Sequence, residues 1–440
     1  MSSTVLEEMA DEEIAGSLTG EPPDPESPGE PERRRGAFSA LEVPAFARYW
    51  YALCLSMTGT WVRITAMGVL VYDLTGDEFK LGLISFLQAI PELLVGPIAG
   101  AYLDRVDRRK VLMVVQVVMI LNMVAVTLLI ATDTIQFWHL AIVALTLGIV
   151  TGFDWPARLA MAPTLVDRSR LQSAVAINSA AFNGARVLGP SIAGWMIGAL
   201  GIAFCFGFTS VAAVPFLLVL FTLSTGMMRR PVPLDETARQ PESPVGTLIE
   251  GYRYIWRTPT VRALLSVDIV PIALGMAYST MAPAIAKDVL KLPDGGLGWL
   301  LTANGIGALA GTLLVAMLSG VRHRGRIVIG GIALFATMLI IFGLSGSLWI
   351  SLPAILLLGL VFSTYGTMND TLVQTNIDES YRGRIVAVQT MLWGLTPIGG
   401  LLAGTLADTF NVQWAVAING FLVLCYVPYL WFGTPVRHID

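Results

Sequence analysis

The feature that most limits what this chain can become is a succession of long apolar runs, from Trp50 to Phe432, separated by short polar breaks. Each is about 20 residues long, the length an α-helix needs to cross about 30 Å of hydrocarbon. The composition agrees: 55% of residues are hydrophobic and 14% charged, with a mean hydropathy of +0.68, whereas soluble domains carry about 25% charged residues. That excess is too large to bury in one soluble core. The expected architecture is an all-α polytopic membrane protein with twelve transmembrane helices, over 46–72, 79–103, 111–131, 137–164, 172–199, 202–226, 262–285, 296–319, 327–346, 349–372, 385–407 and 412–433.

The net charge of −4 matters less than where the charges lie. Much of the acidity falls in Met1–Glu32, a Pro-rich stretch with almost no bulky apolar side chains. Such a segment buries too little surface to offset its ordering entropy, so residues 1–43 are expected to form a disordered tail. It lacks the basic-then-apolar opening of a signal peptide, which leaves insertion to the first span. Counting from a cytoplasmic N-terminus, one side receives Arg33 to Arg35, Arg105, Arg108 to Lys110, Arg168, Arg170, Arg229, Arg230, Arg322, Arg324, Arg326, Arg382, Arg384 and Arg437. The other side receives only Lys80, Lys287 and Lys291. Lysine and arginine concentrate in cytoplasmic loops, so both termini are expected inside, in the cell (plasma or inner) membrane, and the span count must be even.

The longest polar break, Met227–Arg262, divides the spans six and six. The expected units are an N-terminal six-helix bundle over 44–226, a linker over 227–261, a C-terminal six-helix bundle over 262–433 and a short tail over 434–440. In the linker Leu248, Tyr252 and Ile255 share one helical face, with Glu250, Arg253 and Arg257 elsewhere. That pattern fits a short helix lying at the inner interface and fits a solvated linker equally well. A faint repeat supports the halves: "TLV" ends span four at Thr164 and span ten at Thr371, each followed by a charged loop and then "AVAIN" or "IVAVQ". Paired halves are common among secondary transporters.

An ionisable residue inside a span costs several kcal/mol unless it is paired or hydrated, so each marks a candidate cavity or pathway. Ser56, Thr60 and Arg63 form a polar stripe on span one, Gln88 and Glu92 stand four apart on span two, and Asp154 and Arg158 stand four apart on span four. Span five carries Ser179, Asn183, Arg186 and Pro190 on one face; span seven adds Asp268, and span ten Thr367, Asp370 and Gln374. Stripes on helices from both halves imply a shared hydrated interior. Asp154 and Arg158, spaced for an ion pair, fit a structural pair and a moving gate equally. Arg158 and Asp370 lie near span ends and can instead reach headgroups. Glu92, just after Pro91, fits either a proton exchanger or a buried partner of Arg63.

The loop "GAYLDRVDRRK" carries a more specific signal. Gly100, Asp104, Arg105, Arg108 and Arg109 resemble the G-x-x-x-D-R-x-G-R-[KR] signature of the major facilitator superfamily, with Asp107 in the place of its glycine. "DRVDRR" is similar to the branch that holds the enterobactin exporter and the transmembrane secretion effectors. In span five Gly184, Gly189, Pro190 and Gly194 resemble the superfamily's antiporter signature, with Ala193 replacing one glycine. The resemblance implies the fold of that superfamily over about residues 44–433. It further implies that Asp104 meets the N-terminal end of span eleven, that Arg108 pairs with Asp167, and that these charges close the cytoplasmic side. Many proton-linked members place an acid near Thr60, so a proton carrier here must be sought at Glu92, Asp154 or Asp268.

Other chemistry finds little footing. No G-x-x-x-x-G-K-[ST] loop is present, which disfavours an ATP-driven pump. His139, His323 and His438 are scattered, and Cys54, Cys205 and Cys425 lie singly inside spans. Neither a metal site, a catalytic triad nor a disulfide framework follows, no cofactor or nucleic acid is expected, and the cysteines read as packing residues. Trp61, Met67, Phe182, Met276, Tyr278 and Trp393 offer flexible or aromatic walls for amphipathic ligands, and they suit helix packing or lipid contact as well. The reading is a secondary transporter working by alternating access, a monomer in a lipid bilayer that exports amphipathic small molecules, with protons as candidate coupling ions. An importer of polar metabolites and a membrane scaffold or sensor are the alternatives.

Overall fold

A computed structural model describes residues 38–103, 106–223, 244–293, 295–317, 321–378, 381, 385, 388, 389 and 391–439. The tail up to Ala37, the pair Asp104 and Arg105, and the linker up to position 243 lie outside the described residues. Every regular element among the described residues is helical. In chain order the helices are α1 (Pro44–Thr75), α2 (Glu78–Leu103), α3 (Arg108–Ala131), α4 (Phe137–Met161), α5 (Leu171–Leu200) and α6 (Ile202–Thr222). They continue with the linker helix α7 (Pro244–Arg257), α8 (Pro259–Val289), α9 (Leu297–Met317), α10 (Arg324–Leu344), α11 (Leu348–Thr375), α12 (Thr396–Thr409) and α13 (Val412–Gly433).

Ten of these are long and apolar enough to cross a membrane. Two of the twelve expected spans fall short by that measure. One is α5, which at 30 residues is long enough but carries the polar stripe of Asn178, Ser179, Asn183 and Arg186. The other is span eleven: α12 has 14 residues after a short 3-10 turn at Trp393–Leu395, the described positions 385, 388, 389, 391 and 392 before it are helical, and the positions between them lie outside the described residues.

The local starts and stops have identifiable causes. Pro44 and Pro259 occupy the first turns of α1 and α8, where a missing N–H costs nothing. Gly76 ends α1 at φ 57°, the left-handed stop that glycine adopts without strain. α8 is interrupted by two π-helical turns, Pro271–Gly275 and Ile285–Val289, flanking Ala277–Ala284. Pro271 and Pro283 supply no N–H donor, and the ladder widens to Met276 N to Pro271 O (3.2 Å) and Leu290 N to Ile285 O (2.9 Å).

Residues 44–222 pack chiefly on one another, α1 against α5 and α6, α2 against α4, and α3 against α6. Residues 259–433 do likewise, α9 against α11 and α10 against α11 and α13. The two halves meet where α2 runs beside α12 and α5 beside α9. Small residues permit that meeting: a methyl group on Gly194 would overlap the backbone of Gly298, and one on Gly82 would crowd Gly400 O. Both contacts lie toward the end opposite the charged 104–110 loop. At that same end Tyr72 of α1 donates a hydrogen bond to Asp288, and Lys287 Nζ stands 2.6 Å from Asp73 Oδ1. The halves are therefore joined at the far end by backbone contact and by two polar bridges from α1 to α8.

Candidate functional site

The charged loop does for the helices around it what their own backbones cannot. Asp107 accepts a hydrogen bond from Arg109 N (3.0 Å) and caps α3, a role for which Asp is among the best residues. This accounts for the carboxylate standing where the resembled signature has glycine, which the sequence reading left unexplained. Arg109 donates to the carbonyl of Leu223 at the end of α6. Arg108 donates to Leu103 O at the end of α2 and to Ala160 O near the end of α4 (both 3.4 Å). Cations at helix C-termini satisfy carbonyls left without helical partners and meet the negative end of the helix dipole. Asp104 and Arg105 lie outside the described residues, and Gly100 falls within the last turn of α2.

In the first half hydrogen bonds tie the buried charges to neighbouring helices. Asp154 Oδ2 accepts from Arg158 Nε (2.7 Å), and Oδ1 accepts from Gln116 Nε2 of α3 (3.2 Å). Arg158 also donates from Nη2 to Ser56 Oγ of α1 (3.1 Å) and lies 4.4 Å from the ring centre of Phe216 on α6. Tyr49 OH donates to the Arg158 carbonyl (3.2 Å). Asp154 and Arg158 are 6% and 2% exposed, so the pair reaches no headgroup and clamps α1, α3, α4 and α6 together. Arg63 is equally buried and donates to Gln88 Oε1 of α2 (3.4 Å). Glu92, half-buried on the next turn of α2, acts on Arg63 through its charge.

The second half answers its carboxylates with amides. Asp268 on α8 is buried and accepts from Asn369 Nδ2 of α11 (2.8 Å), an amide that also donates to Leu264 O (3.2 Å). Asp370 Oδ1 accepts from Gln389 Nε2 (2.6 Å). A cation acting on Asp370 comes from the other half: Arg186 of α5 interacts electrostatically with Asp370 and lies 5.9 Å from the ring centre of Trp393. Trp393, Asp370 and Asn183 are exposed, and Arg186 and Trp393 bring the two halves into contact here. Behind Trp393 an aromatic chain runs into the core, through Phe362 (6.0 Å) and Tyr365 (5.4 Å) to Phe335 (6.0 Å).

The span-five motif divides by function. Gly189 lets α5 close on Trp61 of α1, and Gly194 lets it close on α9. Gly184 faces open space, and Pro190 lies inside the helix. Of the expected aromatic walls, Trp61 and Phe182 pair at 6.0 Å, whereas Met67 and Tyr278 are buried in helix packing. Asn304, which donates to Tyr278 OH (3.0 Å), and the amides Asn369 and Gln389 were not among the expected site residues. The pairing "ND" at 369–370 was the available signal. Of the cysteines only Cys205 is buried, and Cys425 faces outward, which corrects the expectation that all three pack inside.

Two sets of helices meeting at polar and aromatic side chains define a multi-pass membrane transporter of the major facilitator fold. Comparison with known proteins agrees. The profile described as transmembrane secretion effector matches residues 35–439. The multidrug efflux pump Tap of Mycolicibacterium fortuitum is 27% identical over 82% of this chain and 89% of its own. The staphyloferrin A transporter of Staphylococcus aureus is 23% identical over 86% and 93%. A crystal structure of a bacterial homolog of the human lysosomal transporter Spinster superposes with a TM-score of 0.66 at 14% identity, covering 90% of this chain and 96% of that one. The chain belongs to the transmembrane secretion effector family.

Proposed function

We propose that the protein is a secondary active exporter of amphipathic small molecules, of the drug or siderophore kind that its relatives' names record. One observation carries the reading. Arg186 of the first half lies against Trp393 and acts on Asp370 of the second, with Asp370 and Asn183 exposed beside them, while the far ends of the halves are joined through Gly194 and Gly298. A ligand with an aromatic body and a polar head suits these groups, and a rocking motion of 44–226 against 262–433 would carry it across.

In this reading the charged loop, both termini and the linker are cytoplasmic, the membrane is the cell membrane, and one copy suffices. No enzymatic step is assigned. Protons are the coupling ion, exchanged at the carboxylates of the second half. The helix-capping Arg108 and Arg109 hold the cytoplasmic ends of α2, α4 and α6 in register during the motion, and Asp104, Arg105 and Asp167 are proposed to share in closing that side.

Inverted membrane vesicles test it: a lipophilic fluorescent cation and a siderophore are offered with and without an acid-inside pH gradient. The expected result is gradient-driven accumulation of at least one of the two by the wild type and its loss in Arg186→Ala. Equal accumulation by vesicles lacking the protein would overturn the assignment.

A further inference from the structure

The linker helix α7 offers one face to the protein and another to its surroundings. On the protein side Gly251 and Ile255 are buried. Tyr254 stacks on Tyr381 at 4.2 Å and 14°, and its hydroxyl donates to Asp378 Oδ2 (3.2 Å) and accepts from Asp378 N (3.3 Å). Tyr381 and Asp378 follow α11 in the second half, while α7 also touches α2 of the first. The helix therefore straps one half to the other at the end that carries the charged loop.

The outward arc has two bands. At 100° per residue, Tyr252 and Trp256 fall together and Arg253 and Arg257 fall beside them. Tyr252 is 46% and Trp256 69% exposed. Arg253 and Arg257 are exposed and have no ion-pair partner among the described residues. Arg262, at the start of α8, adds a third cation: its guanidinium lies 5.5 Å from the Trp256 ring centre and donates to Trp256 O (3.4 Å). Between positions 250 and 262 these three arginines face a single acidic residue, Glu250.

The geometry points to a binding site for the headgroup of an anionic phospholipid, formed by Arg253, Arg257 and Arg262 with Trp256 and Tyr252 as its floor. Trp and Tyr settle at headgroup depth because their rings are apolar with one polar edge, and guanidinium groups pair with phosphate oxygens. A core-facing band, an aromatic band and a basic band in sequence around one helix match the layers of a leaflet read from hydrocarbon outward. A lipid held there contacts the strap that touches both halves. This site is separate from the meeting of Arg186 with Trp393 between the halves, and its test reads no transport.

The full-length protein is purified in neutral detergent and given equal amounts of phosphatidylglycerol and phosphatidylcholine, and retained lipid is read by native mass spectrometry. Phosphatidylglycerol is expected to be retained in preference, and each arginine removed should lower that retention about fivefold. The triple variant R253Q/R257Q/R262Q should lose the preference and R253K/R257K/R262K should keep most of it. Arg326→Gln, an exposed arginine elsewhere, should change nothing. The lysine variant guards against a folding artefact in the glutamine one. No preference in the wild type, or an equal loss in Arg326→Gln, overturns the proposal. Displacement of the lipid by excess inorganic phosphate shows a free-anion site and overturns it too.

Discussion

Each half buries one carboxylate at similar depth, Asp154 in the first and Asp268 in the second, and the halves satisfy their carboxylates by opposite means. In the first, Asp154 has Arg158 at 2.7 Å on its own helix, and that pair is tied to three further helices. In the second, Asp268 and Asp370 are met by the amides of Asn369 and Gln389, and a cation that acts on Asp370 is Arg186 from the other half. A carboxylate with an internal guanidinium gains nothing from a proton or a ligand. One held by amides, beside a borrowed cation, changes its surroundings whenever the halves separate. Under the proposed mechanism, the first network holds shape and the second responds.

The largest expected effect lies in the first half. Replacing Arg158 by leucine leaves Asp154 buried without its countercharge, and breaking a buried ion pair in this way costs about 3–5 kcal/mol. Most of the protein should fail to reach the membrane in folded form, read as a collapse of the monodisperse peak in detergent. The double variant D154N/R158L should recover part of that peak, because no lone charge then remains. A normal peak for Arg158→Leu would break the comparison at once.

Next comes the second half. Asp268→Asn and Asp370→Asn remove charges that no described cation of their own half balances, and each should stay folded within about 1 kcal/mol of the wild type. What they should lose is stimulation of transport by a pH gradient. If Asp154→Asn abolishes that stimulation while keeping the fold, and the other two do not, the roles of the halves are reversed.

How much of this was legible in the residues follows from the range of each interaction. The pairing of Asp154 with Arg158 is local, four positions along one helix, and the sequence alone marks it. Helix length and the clustering of arginines at one set of span ends are local too. Asp268 with Asn369 and Arg186 with Trp393 join residues more than a hundred positions apart, and nothing in the pattern selects them. Asp107 shows a different failure. Its neighbours suggested a charge cluster, but its role is set by the backbone turn that starts α3, and a resembled glycine at that position drew attention away from an ordinary N-cap.

The finest test compares two amides with matched burial. Gln116 and Asn369 are each fully buried, and each donates one hydrogen bond to a carboxylate, at 3.2 Å to Asp154 and 2.8 Å to Asp268. Substituting leucine for either removes one such bond, worth about 1 kcal/mol net, and Asn369→Leu also removes the bond to Leu264 O, so thermal unfolding in detergent should shift by small amounts, the larger for Asn369→Leu. Transport should separate them. Asp154 keeps Arg158 when Gln116 is gone, so export by Gln116→Leu should match the wild type. Asp268 loses the amide that fixes it against α11, so export by Asn369→Leu should fall and its dependence on the pH gradient should change. Equal export by both variants would mean that the amide in the second half only fills space, and that the response to the gradient resides at Asp370 and Gln389 alone.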